Sequence, residues 1–326
     1  MMKPAPSRKS PASRRRGAIL VLALAVVALA GATVLHSHLV AQARMKADRG
    51  ALTTALLDAA LEDAVQNSLL LLADDPDALL DHPGEPWAKP REVEAPSGVN
   101  LYVSIEDANR RFDLNNLHTG PLDATLRPAE DMLADLLLYT GDYESSEHAT
   151  ALRDWIDPED EGPREKRWYE EQILPQRPPN RPLASLTELP SVTGFTREML
   201  DRKPPQPEAR SFAELVTAIP FSRSRPVAVN VNTAEPEVLR CILGPAFPTV
   251  AETILGVRDR TPLVSLDSLA AVLPPREAAT AAAFFSVRSD WFVINARAFH
   301  QGSSAACRVL VRRATDGAIE VMQWVK

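Results

Sequence analysis

The sequence predicts an α+β fold, in which one long N-terminal helix packs on a small antiparallel sheet and a large all-α insertion interrupts the strands. Three observations lead to this expectation. An uncharged apolar run near the N-terminus continues into a helical pattern. Strand-like alternation of apolar and polar residues occurs early in the chain and again at its end. The long middle carries helical patterns instead.

Residues 18–35 form the apolar run, and six basic residues but no acidic one precede it. About 20 apolar residues cross a bilayer as a helix, and the basic flank stays in the cytoplasm. We therefore expect a single-pass inner-membrane helix over 18–38, with the N-terminus cytoplasmic and the bulk of the chain periplasmic. Three interpretations remain open from these residues: a plain signal anchor, a cleaved secretory signal, and a prepilin-type leader over 1–17 cut after Gly17.

The helical pattern does not stop at the membrane. Residues 39–72 hold no proline and one glycine, Gly50. We expect one helix from Ala18 to about Ala73, roughly 84 Å long at 1.5 Å per residue, with 39–75 as its periplasmic part. Such a helix has the shape of a pilin stem. The leucines expected to contact partner subunits are Leu52, Leu56, Leu57 and Leu61; packing against the chain's own sheet is the alternative.

Composition and motifs argue against nucleic-acid binding and catalysis. The chain has 36 basic and 43 acidic residues, whereas affinity for phosphate backbones comes largely from Lys and Arg. The six histidines lack zinc-protease spacing, and no nucleophile elbow, P-loop or glycine-rich dinucleotide turn occurs. We expect no enzymatic activity; a hydrolase using the carboxylates of 154–171 has only their charges in its favour.

Cys241 and Cys307 are the two cysteines of the chain. An oxidising periplasm would allow them to form a disulfide, but one lies in a helix-like stretch and the other in a strand-like one. A disulfide between them and a free buried thiol at each site both remain open.

Strands are expected at 99–107, 291–298, 306–312 and 319–325, and residues 112–114 would continue the first pairing after a turn. Asp316-Gly317 between two alternating runs is a hairpin signal. Early and late strands would close one sheet from distant parts of the chain. A pilin-like α/β domain is therefore expected from 76–115 and 288–326.

The middle, 116–287, is expected to be an inserted helical domain with a faint internal duplication. Residues 181–189 (RPLASLTEL) resemble 261–269 (TPLVSLDSL). Each follows an Asn-bearing segment, 113–117 (DLNNL) or 229–234 (VNVNTA). We expect two helical units, at about 116–205 and 210–287.

An acidic loop at 157–162 (DPEDEG) carries several carboxylates before a glycine, as calcium loops do. It is not an EF-hand, because the twelfth position from Asp157 is Trp168, which cannot ligate a metal. Lys166 and Arg167 reduce the local negative charge, so a solvated loop without metal is the alternative. The candidate calcium ligands are Asp157, Glu159, Asp160 and Glu165.

Several short segments together resemble the minor pseudopilin GspK family (general secretion pathway protein K) of the type II secretion system. Besides the leader they are, in chain order, 109–115 (NRRFDLN), 152–157 (LRDWID), 180–183 (NRPL), 185–189 (SLTEL) and 229–234 (VNVNTA). The resemblance implies a pilin-like helix and sheet with a duplicated SAM-like or helix-hairpin-helix-like insertion. It also implies a non-enzymatic structural subunit with calcium in the acidic loop, although Pro163-Arg164-Glu165 replaces the family's Gly-Ala-Glu segment.

The resemblance further implies processing by prepilin peptidase after Gly17 and N-methylation of Ala18. The fifth mature position is then Leu22, where most pilin-like proteins carry a glutamate that pairs with a neighbour's N-terminal amine. A subunit at the tip has no subunit above it to pair with. The expected function is to form the tip of the periplasmic pseudopilus, initiate its assembly and support protein secretion across the outer membrane. The expected partners are GspI, GspJ, prepilin peptidase and the inner-membrane assembly platform.

A second function remains open, because 229–234 followed by 243–247 (LGPAF) also resembles a DNA-binding helix-hairpin-helix module. On a membrane stem it would belong to a DNA-uptake apparatus, with Arg258 and Arg260 near phosphate. The hairpin lacks a Gly-x-Gly turn and the domain is acidic. Both arginines are equally explained as favourable charges at a helix C-terminus.

Overall fold

The computed structural model describes residues 11–119, 126–172, 177–205, 209–220, 225–314 and 316–326, with side chains from residue 18 onward. The α-helices are α1 (Pro11–Ala73), α2 (Ala129–Tyr139), α3 (Ser145–Ile156), α4 (Lys166–Glu170), α5 (Arg197–Asp201), α6 (Phe212–Leu215), α7 (Pro236–Leu243), α8 (Pro248–Arg258), α9 (Asp267–Ala270) and α10 (Pro275–Phe284). The strands are β1 (Arg91–Glu94), β2 (Asn100–Asp107), β3 (Phe112–Asp113), β4 (Val216–Thr217), β5 (Val229–Asn230), β6 (Phe285–Ser286), β7 (Trp291–His300), β8 (Ser303–Arg313) and β9 (Ile319–Val325). Three short 3-10 turns complete the elements, at Ala108–Arg110, Leu114–Thr119 and Leu186–Ser191.

α1 is one unbroken helix of 63 residues, which confirms that the helical pattern continues beyond the apolar run. Within the part of the chain that the structure describes, it is the one helix long and apolar enough to cross a membrane. Its C-terminal part turns one face to the sheet. The side chains buried there recur at helical spacing, and they are Leu57, Ala60, Leu61, Ala64, Val65 and Leu72.

The main sheet has five antiparallel strands in the order β1-β2-β7-β8-β9. β2 pairs with β7 along its whole length, from Asn100 opposite Phe299 to Asp107 opposite Phe292. The expectation that early and late strands close one sheet is therefore confirmed, and the fold is α+β. Strand β1 was not expected, because three of its four residues are charged and charged residues do not indicate a strand.

β3 does not continue the pairing of β2, so that expectation is wrong. The Asp107 carboxylate accepts a hydrogen bond from the Asn109 amide at 2.7 Å and caps the turn Ala108–Arg110. This turn directs the chain out of the sheet and into the insertion. β3 instead pairs in parallel with β4, more than 100 residues later.

The internal duplication has a physical counterpart in two equivalent asparagine contacts. The Asn115 side chain accepts from the Leu183 amide at 2.7 Å and donates to the Leu183 carbonyl at 3.0 Å. Asn232 does the same with Leu263, at 2.8 and 3.0 Å. Each unit also has a short parallel ladder, β3–β4 or β5–β6. One hydrophobic cluster runs through both units, so they share a core.

The insertion is joined to the sheet by buried polar contacts around Asp107. Its Oδ2 accepts hydrogen bonds from Ser289 Oγ at 2.6 Å and from the Thr233 hydroxyl. A small apolar cluster lies beside them, where Ile219 and Val227 of the insertion are buried with Trp291 and Val293 of β7. Because Phe292 faces α1, these neighbours lie on the opposite face of the sheet. The helix and the insertion therefore cover opposite faces.

Candidate functional site

The acidic loop forms a compact carboxylate cluster at the end of α3, made by Asp154, Asp157 and Glu165. Asp154 is in the last turn of α3, and Asp157 caps that helix three residues later, which places both on one helix face. Glu165 immediately precedes α4 as its N-cap residue. One oxygen from each carboxylate lies within 4.8 Å of the other two.

Close approach of the loop backbone brings this cluster together. A Cβ on Gly162 would lie 2.6 Å from the Asp154 carboxylate, so no larger residue fits there unless the structure moves. The Arg164 amide donates to Asp154 Oδ2 at 2.9 Å, which fixes the loop segment after Gly162 against α3. The glycine is thus required by space at this position.

The three carboxylates differ in how well they are hydrogen-bonded. Asp154 is fully buried and is paired with Arg153, whose Nη2 donates to its Oδ1 at 2.8 Å. Glu165 is only 6% exposed, yet neither of its carboxylate oxygens has a hydrogen-bond partner among the described residues. Asp157 Oδ1 is likewise buried there without a partner. Orphaned buried carboxylate oxygens are costly unless a cation or a proton compensates them.

Burial and mutual repulsion make these carboxylates hard to ionise. Burial, followed by the charges of Asp154 and Glu159, raises the pKa of Asp157 to about 6. Burial, followed by the charges of Asp157, Asp154 and Asp160, raises the pKa of Glu165 to about 7. A cation bound beside them would favour their ionised forms and so lower both pKa values.

The oxygen set fits a hard divalent cation. Calcium binds carboxylate oxygens at about 2.3–2.6 Å, so two oxygens on one ion are at most about 5 Å apart, and the three oxygens of the cluster lie within that limit. The two basic residues that follow Glu165 in the sequence do not supply positive charge to the cluster. Lys166 and Arg167 form ion pairs one helical turn ahead, with Glu170 at 3.8 Å and Glu171 at 3.2 Å.

The structure brings together two of the four expected ligands, Asp157 and Glu165. Glu159 and Asp160 are exposed and lie outside the cluster; they contribute charge to its surroundings, so their assignment as ligands is not what the structure has. Asp154 is the third member of the cluster and was not among the expected ligands. Its three-residue spacing from Asp157 across a helix end was the signal that could have identified it.

A second carboxylate cluster lies where α1 meets the sheet, and it was not expected. Asp75, Asp81 and Glu85 also place one oxygen each within 4.8 Å of one another. Here Arg313, at the end of β8, is buried among them, with Nη1 2.8 Å from Asp75 Oδ2 and a hydrogen bond from Nη2 to Asp81. Glu85 accepts from the His82 amide at 2.6 Å and from the Trp87 indole at 2.7 Å.

The leucines expected to bind partners separate into two groups. Leu57 and Leu61 are 3% and 1% exposed and pack into the core between α1 and the sheet, so their assignment to a partner is wrong. Leu56 is half-buried beside that core. Leu52 is 71% exposed, and most of 39–55 is exposed as well.

The processing residues lie at the start of α1. Gly17 is inside its helical range, but its side-chain surroundings, like residues 1–10, lie outside the described part. Ala18 begins the apolar span, and Leu22 is exposed within it.

Two further expectations concern cysteines and arginines of the middle and end of the chain. Cys241 and Cys307 are free, buried thiols in different hydrophobic clusters, so the structure does not have the disulfide between them.

Arg258 donates to the carbonyls of Val231 and Ala234 at 2.8 and 2.6 Å. Its guanidinium therefore holds the second unit together rather than facing outward to phosphate.

Comparison with known proteins agrees with this architecture. Residues 110–206 match the family model for type II secretion system (T2SS), protein K. The resemblance to the protein K family is confirmed. The matched range contains the Asp154–Asp157–Glu165 cluster and the first of the two asparagine contacts.

Most of the chain is also similar in fold to a solved structure. A chain in the crystal structure of the GspK-GspI-GspJ complex from the enterotoxigenic Escherichia coli Type 2 Secretion System superposes with a TM-score of 0.63 at 20% identity. The alignment covers 86% of this chain and 98% of that one. No curated protein matches by sequence.

Proposed function

We propose that this chain is a minor pseudopilin of the type II secretion system, located at the tip of the periplasmic pseudopilus. There it initiates assembly of the filament in the inner membrane and supports secretion across the outer membrane. It is a structural subunit without enzymatic activity. The observation that carries the proposal is α1, which runs unbroken from an apolar span into a face packed on a small sheet, in a chain whose residues 110–206 match the family model of protein K.

The features of the span support processing and the tip position. Six basic residues precede Gly17 and the apolar run begins at Ala18, so prepilin peptidase cuts after Gly17 and Ala18 becomes the methylated N-terminus. The basic leader lies in the cytoplasm and the folded domain in the periplasm. The fifth mature residue, Leu22, offers no carboxylate to a subunit above. The insertion covers the sheet face opposite α1, and its bulk would hinder another subunit from stacking above this one.

Its partners are GspI and GspJ, with the assembly platform of the inner membrane. The similar fold was crystallised in a complex of GspK, GspI and GspJ. The segment 39–56 of α1, with Leu52 fully outside the folded core, is the helix surface that parallel partner helices can cover. Leu56 lies at its boundary with the core.

The carboxylate cluster of Asp154, Asp157 and Glu165 is proposed to hold a calcium ion. The ion would supply positive charge to three buried carboxylates, two of which have unpartnered oxygens. Its role is structural, because it would tie the end of α3 to the start of α4 across the intervening loop.

The processing step tests the proposed function. The intact mass of the protein from membranes is measured with and without co-expressed prepilin peptidase. We expect a peptidase-dependent product that begins at methylated Ala18. Gly17→Leu should block this product, because it places a large side chain at the proposed cut.

Gly31→Ala is the matched control, because no atom lies within 4 Å of the added methyl group, and it should be processed as the wild type is. A chain that retains residues 1–17 with active peptidase would be a simple anchored protein. That result would remove the pseudopilin assignment and the tip position together.

A further inference from the structure

The two edges of the main sheet differ in length and charge. β1 has four residues, three of them charged, which is how natural proteins prevent an edge from pairing. β9 has seven residues and a single charge, Glu320. Val321 and Val325 on it are 46% and 51% exposed. By composition, β9 is the edge that remains open to another strand.

Contacts with β8 and with α1 fix the position of β9. It pairs with β8 from Arg308 opposite Val325 to Arg313 opposite Ile319. At its end, Lys326 Nζ lies 3.1 Å from Asp58 Oδ1 and 4.0 Å from Glu62 Oε1 of α1. Within the described ranges, β8 is the one strand that pairs with it, so its other edge carries backbone groups without a strand partner.

The position of β9 indicates what could cover it. Because Lys326 contacts Asp58 and Glu62, the β9 edge adjoins the face of α1 that carries these two residues. The exposed segment 39–56 continues the same helix toward the membrane. A pilin-like partner anchored in the same membrane, with its helix alongside α1, would bring its own sheet next to β9. Alternating amide and carbonyl groups along an edge are best satisfied by another extended strand.

We infer that β9 binds an edge strand of a neighbouring minor pseudopilin, so that the sheets of the two subunits become continuous. This rests on the proposed function, and it adds a backbone contact to the helix contact. β1 takes no part, because its charged side chains would be placed beside the incoming strand.

Hydrogen exchange on the full-length chain tests the inference. The chain is purified in detergent alone and after co-expression with the GspI- and GspJ-type pseudopilins of the same organism. In the complex we expect the amides of 319–325 that point away from β8 to exchange at least about tenfold more slowly. A tenfold change corresponds to about 1.4 kcal/mol of added protection. Amides of 91–94 should exchange at the same rate in both samples.

Two matched valines provide the variant test. Val321→Lys places a charge on the β9 edge and should lower recovery of the complex about tenfold, whereas Val93→Lys, on an equally exposed valine of β1, should leave recovery unchanged. Lysine on an edge opposes strand addition. Thermal unfolding of both variants alone checks that each folds.

The outcomes separate the two proposals. A complex in which the β9 amides exchange as in the free chain, or in which both lysine variants act alike, overturns the inference and leaves the pseudopilin assignment intact. Slowing of the β9 amides in the chain alone that grows with its concentration would assign the edge to a second copy, which also overturns it. Absence of any complex rejects the proposed partners and this strand contact with them.

Discussion

The two carboxylate clusters of this protein have the same number of acids but different sources of positive charge. Around Asp81, the guanidinium of Arg313 is 1% exposed and contacts two of the three carboxylates. In the Glu165 cluster, Arg153 is 35% exposed and pairs with Asp154 and with Glu130 outside the cluster. The Asp75–Asp81–Glu85 cluster contains its own cation, whereas the Asp154–Asp157–Glu165 cluster leaves both carboxylate oxygens of Glu165 without a hydrogen-bond partner among the described residues.

This difference distinguishes a structural ion network from a candidate ligand site. Burial raises the pKa of Asp81 to about 6 and that of Glu85 to about 7, much as it does for Asp157 and Glu165. The pKa shifts alone therefore do not separate the two clusters. The hydrogen-bond partners do, because donors occupy both oxygens of Glu85 and neither oxygen of Glu165.

The largest expected effect comes from removing the internal cation. Arg313→Met leaves Asp75 and Asp81 buried without a positive partner, and such a loss typically costs about 3–5 kcal/mol. Arg153→Met removes a partly exposed cation from one buried carboxylate, Asp154, and should cost less than Arg313→Met, which leaves two. Thermal and urea unfolding followed by tryptophan fluorescence measure both. Equal losses of stability would show that Arg313 is not the cation on which the Asp75–Asp81–Glu85 cluster depends.

The next effect is stabilisation by calcium. A ligand at 100 times its Kd adds about 2.7 kcal/mol to the free energy of unfolding. We expect calcium to raise the unfolding midpoint of the wild type and of Glu85→Gln, but not that of Glu165→Gln. Glu159→Gln, on an exposed residue of the same loop, is the matched control and should keep the response. Stabilisation that survives in Glu165→Gln but disappears in Glu85→Gln would reverse the roles of the clusters.

The third effect is on the pH dependence of stability without calcium. The pKa of Glu165 is about 7 in the folded protein against an ordinary value of 4.5, so the folded state holds this proton to higher pH than the unfolded state does. The free energy of unfolding therefore falls as pH rises from about 4 to about 7. Glu165→Gln should reduce this fall, measured as unfolding midpoints in chelator.

Calcium should oppose the same trend, because it binds the ionised carboxylates, whose fraction grows with pH. The midpoint difference between calcium and chelator is then larger at about pH 8 than at about pH 5. A difference that does not change with pH, or one that persists in Glu165→Gln, would contradict binding at this cluster.

Local patterns in the sequence predicted most of the elements and only part of the site. The spacing of apolar residues predicted α1 to its end at Ala73, and alternation predicted β2, β7 and β9. Strand β1 was missed because its charged residues do not resemble a strand. β3 was placed in the wrong sheet, because the turn that Asp107 caps separates it from β2.

The clusters show why the site was harder to predict. Asp157 and Glu165 were recognisable because the loop that contains them is acidic over a short stretch. Asp154 was hidden inside a helical pattern and becomes a neighbour only because Gly162 lets the loop approach α3 closely. Arg313 lies 238 positions from Asp75, and no local pattern connects the two.

The sequence by itself therefore determined the membrane-length helix, the main strands and the two asparagine-bearing units, because each depends on the periodicity or the chemistry of residues close together in the chain. Only the tertiary structure decided which acids share a cluster and which cluster contains its own cation. Those outcomes depend on burial and on contacts between distant segments. Burial removes the water that would otherwise solvate each charge, and its extent is set when α1, the sheet and the insertion pack together.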